Sequence, residues 1–221
     1  MKYILLIISL LITASCGVEK EVIEKSTIKL EGKTTNIRNL IEIGGFYPQP
    51  DTTYNNSYYP LNSGCIMFFD DGTWVYFHFI GGVTINEIQK NMSKYIEGKM
   101  KGKQFRWDWS TDWGVYSIHN DTIVVHSYNI PNFFLGTTIC ETRYKVINRK
   151  IIEIIYYRFL LKADYDKGTW YKEGEFPMHF MPADSLPSSD SYSWLKKQKW
   201  IWRNELDWKD YMEKIKQKQK K

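Results

Sequence analysis

Cysteine is scarce in this chain: 221 residues carry three, at Cys16, Cys65 and Cys140. They form no CxxC pair and no zinc-type spacing, which excludes a zinc ribbon and a dithiol redox motif. Histidine is nearly as rare, with His78, His119, His126 and His179 and no HExxH. Gly-x-Ser-x-Gly is also missing, so the commonest serine-hydrolase and metalloprotease signatures are excluded. No apolar run reaches the roughly 20 residues that cross a bilayer as a helix. No internal repeat of solenoid or propeller period exists. Aromatic side chains, by contrast, make up 16% of the chain, and such rings favour strands.

The greasiest stretch is the first. Lys2 precedes an apolar run, Tyr3 to Ile12, about half the length of a membrane span. The small residues Thr13-Ala14-Ser15 end it. That is the three-part layout of a secretory signal peptide. The stretch ITASCG resembles the lipobox of bacterial lipoproteins, with Thr13 where the family usually has Leu. The resemblance implies cleavage before Cys16 and acylation of that cysteine. Stable anchoring takes more than one acyl chain, which a mature lipoprotein N-terminus supplies. Residues 1–15 are thus expected to be a signal peptide. Residues 16–35, rich in Glu and Lys, are expected to be a solvated tether.

The net charge of +5 is unevenly spread. From Leu195 to Lys221 ten basic residues face four acidic ones, a local +6. With Lys2 set aside, the remainder carries −2. The positive charge is a feature of the C-terminus, not of the domain between.

Residues 36–187 read as one β domain. TNIRNLIE suggests a short helix, and IGGFYPQP a first strand cut short by Pro48. CIMFFDDGTWVYFHFIGG is the clearest hairpin, two apolar runs about the turn Asp70-Asp71-Gly72. Thr73, Val75, Phe77 and Phe79 share one face of its second strand, and Trp74, Tyr76 and His78 the other. Both faces are largely apolar, so the pair is central or lines a cavity. From Thr84 to Gly98 the period changes to that of an amphipathic helix, with a Thr84/Glu87 capping box. Strand patterns then return, joined at Asn120-Asp121 and Asn148-Arg149. Short sequential hairpins predict an antiparallel up-and-down sheet of eight or nine strands that closes on itself. Residues 188–221 open with a Ser/Asp linker, continue through WLKKQKWIWRNELDW and end in a helix. The expected role of that Trp/Lys stretch is to dock an apolar edge on the barrel, lysines outward.

The segments WGVYSIHNDTIVVHSYN, ETRYKVINRKIIEIIYYRF and FMPADSLPSSDSYSWLKKQKWIW resemble lipocalin-like lipoproteins of Bacteroidetes over about residues 44–202. The resemblance implies an eight-stranded lipocalin-like barrel with a cavity at one mouth. True lipocalins open on Gly-x-Trp; here Gly45-Phe46-Tyr47 stands instead. The family supplies no catalytic residues to carry over.

The expected function is therefore non-enzymatic binding of a small, partly apolar ligand by a barrel anchored in the bacterial envelope through its N-terminal lipid. The outer membrane is the expected site. Phe68, Trp74, Tyr76, Tyr116 and Tyr156 are the expected lining. The alternatives are a structural or partner-binding barrel filled by side chains, and a surface glycan binder. For the latter, RWDWSTDWG offers Trp107, Trp109 and Trp113 as stacking faces beside Asp108 and Asp112. His119 and His126 flank a hairpin turn but lie on the face opposite Ile118, Ile123 and Val125, hence outward and solvated. No metal, cofactor or nucleic acid is expected. Cys65 and Cys140 are expected as buried free thiols, with a disulfide as the alternative in an exported protein. Replacing Cys16 by Ala is expected to abolish radiolabelled palmitate incorporation; unchanged labelling would falsify the lipid anchor.

Overall fold

The hairpin patterns translate into consecutive antiparallel strands. A computed structural model describes residues 20–49, 64–77, 90–91, 94, 111–128, 138–160, 168–183 and 189–219. Two short helices come first, α1 (Lys20–Lys25) and α2 (Ile37–Leu40). Seven strands follow: β1 (Gly45–Gln49), β2 (Gly64–Phe68), β3 (Thr73–Phe77), β4 (Thr111–His119), β5 (Thr122–Tyr128), β6 (Ile139–Asn148) and β7 (Ile151–Phe159). Each pairs antiparallel with the next. Pro48 lies within β1 instead of ending it, beyond the point where β1 has a second neighbour. The amphipathic helix expected at Thr84–Gly98 falls outside the described residues except for Lys90, Asn91 and Lys94, which are helical.

An interrupted eighth strand closes the sheet. β8 (Thr169–Trp170) and β9 (Pro177–His179) both run along β7, separated by an excursion at Tyr171–Phe176. The same stretch continues into β10 (Met181–Pro182), which pairs with β1. Backbone bonds from Phe180 N to Lys150 O (2.7 Å) and from Ala183 N to Gly44 O (3.2 Å) tie it to both sides. Gly45 is required here, because a Cβ would collide with the Met181 carbonyl oxygen. The result is an up-and-down barrel, as the hairpin reading expects.

The apolar residues divide by face into two cores. Tyr47, Ile66, Phe68, Trp74, Tyr116, Ile123, Val125, Tyr144, Ile152 and Met178 fill the inside. Phe46, Cys65, Met67, Val75, Trp113, Val115, Tyr128 and Ile139 form a second cluster on the outer face. That outer cluster is covered by both ends of the chain: Val22, Ile28 and Leu30 from one, Trp194, Leu195, Trp200, Ile201 and Trp202 from the other. The ends also join each other, Leu30 N bonding to Ile201 O and Arg203 N to Leu30 O, both at 2.9 Å.

This corrects two expectations. From Lys20 on, the stretch read as a solvated tether is docked, with Val22 fully buried. The Ser/Asp linker is docked as well: it forms helix α3 (Ser189–Tyr192), with Ser189 and Ser193 buried. Composition misleads because a few apolar side chains among many charges suffice to cover a sheet face that is itself apolar. The Trp/Lys stretch does dock as expected, through two 3-10 turns, Leu195–Lys197 and Lys199–Ile201, into helix α4 (Glu205–Gln219).

One lysine departs from the snorkelling pattern. Lys196 is only 4% exposed. Its ammonium contacts Asp71 (2.7 Å) and Asp190 (2.6 Å) and lies 4.7 Å from the Tyr211 ring centroid. Asp71 also accepts from Ser189 Oγ, at 2.6 Å, and from Thr73 N, at 3.0 Å. Burial pushes the Asp71 carboxyl up, but the Lys196 charge and these hydrogen bonds outweigh it and hold its pKa below the usual value. For Lys196, burial pushes down and the two carboxylates more than compensate, so its pKa is raised.

A carboxylate whose pKa is lowered on folding stabilises above its unfolded pKa and loses that contribution as pH falls. A raised lysine stabilises below its own unfolded pKa and loses the contribution as pH rises past it. The clasp thus holds at neutral pH and weakens toward acid through Asp71 and toward strong alkali through Lys196. Lys196→Met is expected to cost about 1–3 kcal/mol at pH 7, since it leaves two partly buried carboxylates without their cation. Urea denaturation at neutral pH and near pH 3 checks this: the gap between variant and wild type should shrink in acid.

Candidate functional site

The strand connections divide into short ones and long ones. At one end the strands meet in tight connections, at Phe69–Gly72, Asn120-Asp121 and Arg149-Lys150. Asn120 takes the left-handed conformation there (φ 55°), which Asn tolerates better than most residues. Helix α2 plugs this end with Ile37 and Ile41, both fully buried. It is pinned to two of the turns. Thr35 N bonds to Asp70 O (2.6 Å), Arg38 pairs with Asp70 (2.9 Å), and Glu42 N bonds to Arg149 O (2.8 Å). Inside the plug, the Tyr116 hydroxyl donates to Phe69 O (2.6 Å), and the Tyr47 hydroxyl to Glu42 O (2.9 Å). The other strand connections, residues 50–63, 78–110, 129–137 and 161–167, lie outside the described residues except for Lys90, Asn91 and Lys94.

Within the barrel, Phe68 makes edge contacts with Tyr47, Tyr116 and Tyr144 at centroid distances of 6.3, 5.6 and 5.8 Å. Trp74, the register partner of Phe68, stacks on Tyr76 at 6.2 Å with 11° between their planes. Their rings occupy the space where side chains at Gly114 and Gly64 on the flanking strands would stand. The Trp74 indole N–H is buried and has no hydrogen-bond partner among the described residues. Asp112, in register with Tyr76, shares the inner face. So do Cys140 and Tyr157, whose hydroxyl contacts Cys140 Sγ at 3.2 Å. The pKa values of Tyr116, Tyr144 and Tyr157 are all raised, chiefly by burial, so these phenols are neutral at physiological pH.

Four of the five expected lining residues, Phe68, Trp74, Tyr76 and Tyr116, therefore share the inner core. Tyr156 does not. Tyr144 pairs with Ile154 but Arg143 with Tyr156, a bulge that inserts one residue into β7 and turns Tyr156 outward. There it packs on Trp170, at 4.6 Å, and beneath the Arg143 guanidinium, at 4.7 Å. The proposed glycan platform is split. Trp113 and Asp112 are neighbours on one strand and point to opposite faces. Trp113 is buried in the outer core against Phe69 (6.0 Å, 20°). Trp107, Asp108 and Trp109 lie outside the described residues.

The histidine reading is half corrected. His119 and His126 do face outward, and His119 is exposed. His126 is only 3% exposed and sits 3.5 Å from Glu141. Glu141 also takes Arg143 (2.7 Å) and Arg158 (2.9 Å). The His126 hydrogen bond leads in pulling the Glu141 pKa down to about 2; burial opposes it, and the two arginines add to it. No local pattern announces this group, because its members come together only through the register of β5, β6 and β7. Among the described residues no cluster of three His, Cys, Asp or Glu side chains is arranged to hold a metal. No known protein family, curated protein or solved structure matches the chain.

Cys65 and Cys140 are both free and buried, on opposite faces of the sheet, so no disulfide joins them. Burial pushes the Cys65 thiol up to about 12 and the Cys140 thiol up to about 11. The thiolate is the reactive form. Iodoacetamide at pH 8 is expected to leave both unmodified in the native protein and to label both in urea, as read by peptide mass mapping.

Proposed function

We propose that the chain is a bacterial envelope lipoprotein, anchored through an acylated Cys16, whose barrel binds a small, partly apolar ligand beside Trp74 and Tyr76 without catalysis. The observation that carries the binding role is the buried Trp74 N–H, a donor with no partner among the described residues. A buried donor left unsatisfied costs about 1–3 kcal/mol, which a ligand carrying an acceptor would recover. The stacked Trp74–Tyr76 pair offers such a ligand an apolar face, and the Asp112 position adds a carboxylate on the same side of the sheet. The reading of a barrel filled by side chains draws support from the Phe68 cluster, and we assign that filling to the plugged half only.

The envelope role rests on the lipobox resemblance. Docking of Lys20 to Leu30 onto the barrel is compatible with it and leaves residues 16–19 as the link to the lipid. The resemblance to lipocalin-like lipoproteins points to the same class of binding protein. Surface glycan binding is the weaker reading, since Trp113 is occupied in the outer core.

Native mass spectrometry of the chain from Gly17 onward, purified without detergent, tests the binding role. A bound mass that disappears under denaturing conditions is expected, and Trp74→Phe should weaken its retention about tenfold, the worth of one hydrogen bond. A bare polypeptide mass that persists after incubation with envelope lipid extract would instead favour a filled barrel.

A further inference from the structure

The docked N-terminal arm does more than cover the outer core. Between that arm and β4 lies a cleft of about 640 Å³. One wall is the arm from Thr27 to Asn36; the other is Tyr116 to His119, with Gly72 and Arg203 at its edges. Its volume is that of a small-ligand pocket. Its walls are held from several sides. The arm is tied to the C-terminal segment by the Leu30–Ile201 and Arg203–Leu30 backbone bonds. It is tied to the barrel by Thr35 Oγ1 and the Tyr116 hydroxyl, 2.7 Å apart.

The charges of the lining do not balance. Lys29, Lys33 and Arg203 bring three cations. Glu31 is shared between Lys33 (2.9 Å) and Arg203 (2.6 Å). The other lining carboxylate, Asp71, is already held by Lys196. Asp207 lies against Gly32 but outside the lining. The Lys29 ammonium is half-buried and turned to Trp200, outside the lining: it donates to Trp200 O (2.9 Å) and lies 5.8 Å from that ring's centroid, with no carboxylate partner among the described residues. Burial alone lowers its pKa, the mark of a cation lacking a counter-charge. Hydroxyl, amide and imidazole groups from Thr27, Thr34, Asn36, Ser117 and His119 complete the lining.

We infer that this cleft is a second binding site, for a phosphate-bearing, hydroxyl-rich small molecule, separate from the ligand site in the barrel. Lys33 and Arg203, two cations that share the single carboxylate of Glu31, meet the phosphate, and the neutral polar groups meet the hydroxyls. Lysine and arginine are the usual phosphate partners, arginine in forked geometry and lysine as a point charge. The phosphate can come from a soluble sugar phosphate or from a phospholipid headgroup close to the chain's N-terminus. This inference does not depend on the barrel ligand and stands or falls separately from it.

Isothermal titration calorimetry on the full chain tests it with three probes: glucose 6-phosphate, glycerophosphoglycerol and glucose. Binding of glucose 6-phosphate with glucose at least about tenfold weaker is the result expected for a soluble source. Stronger binding of glycerophosphoglycerol assigns the site to a headgroup. In either case Lys33→Gln with Arg203→Gln should reduce affinity at least about tenfold, and added salt should weaken it. Both side chains are exposed, so the fold should survive. A control pair outside the cleft, Lys150→Gln with Lys172→Gln, should leave binding unchanged. Equal affinity for glucose and glucose 6-phosphate, no heat with any probe, or an equal loss in the control pair would overturn the inference.

Discussion

A β-sheet that is apolar on both faces has to be covered on both. Closing into a barrel hides one face and leaves the other in water. In this protein β3 shows the problem in five residues: Trp74 points into the inner core, while Val75 and Phe77 join the outer one. The outer cluster extends across β1 to β6, and no strand of the barrel can cover it. Burial is worth roughly 25 cal/mol per Å² of apolar surface. The ends of the chain are therefore drawn onto the outside of the barrel, and the remaining features of the fold follow from that.

The turn between β2 and β3 is where the layers are joined. Asp70 reaches the plug through Arg38, and Asp71 reaches the outer layer through Lys196. Two adjacent carboxylates thus fasten both coverings to one hairpin. Burying Lys196 is tolerable because two carboxylates meet it, one of them shared with Lys218 (2.9 Å). The same docking that protects the outer core also shapes the cleft beside β4, so covering the sheet and creating a basic recess are one structural event. The barrel interior is organised independently: plugged and aromatic-filled at the end of the tight turns, with the Trp74 donor unsatisfied among the described residues.

Much of this was legible in the chain. The turn residues at Asp70-Asp71-Gly72 and Asn120-Asp121, with period-two alternation on either side, specify consecutive hairpins. Alternation alone puts Phe68, Trp74, Tyr76 and Tyr116 on one face, because side-chain direction in a regular strand depends only on parity. Tyr156 escaped that rule because a single inserted residue in β7 reverses parity, and a bulge in a run such as IIEIIYY leaves no mark in composition. His126 escaped because outward was equated with solvated. Parity determines which face a residue is on; what lies over that face is a separate matter. The charged arm from Lys20 and the Ser/Asp segment escaped for the same reason, since their few apolar residues have value only against an apolar partner.

The strand order, the hairpin partners and the faces of the regular strands rest on neighbours within a few residues, and the sequence carries them. Only the tertiary structure decided that the eighth strand pairs with both β7 and β1. It alone decided that the chain ends form a second layer, that Lys196 is buried, and that Lys29, Lys33 and Arg203 line one cleft. Those outcomes depend on residues far apart in the chain. Lys29 and Trp200 are brought within hydrogen-bonding distance by the apolar surface beneath them, not by any pattern that either carries.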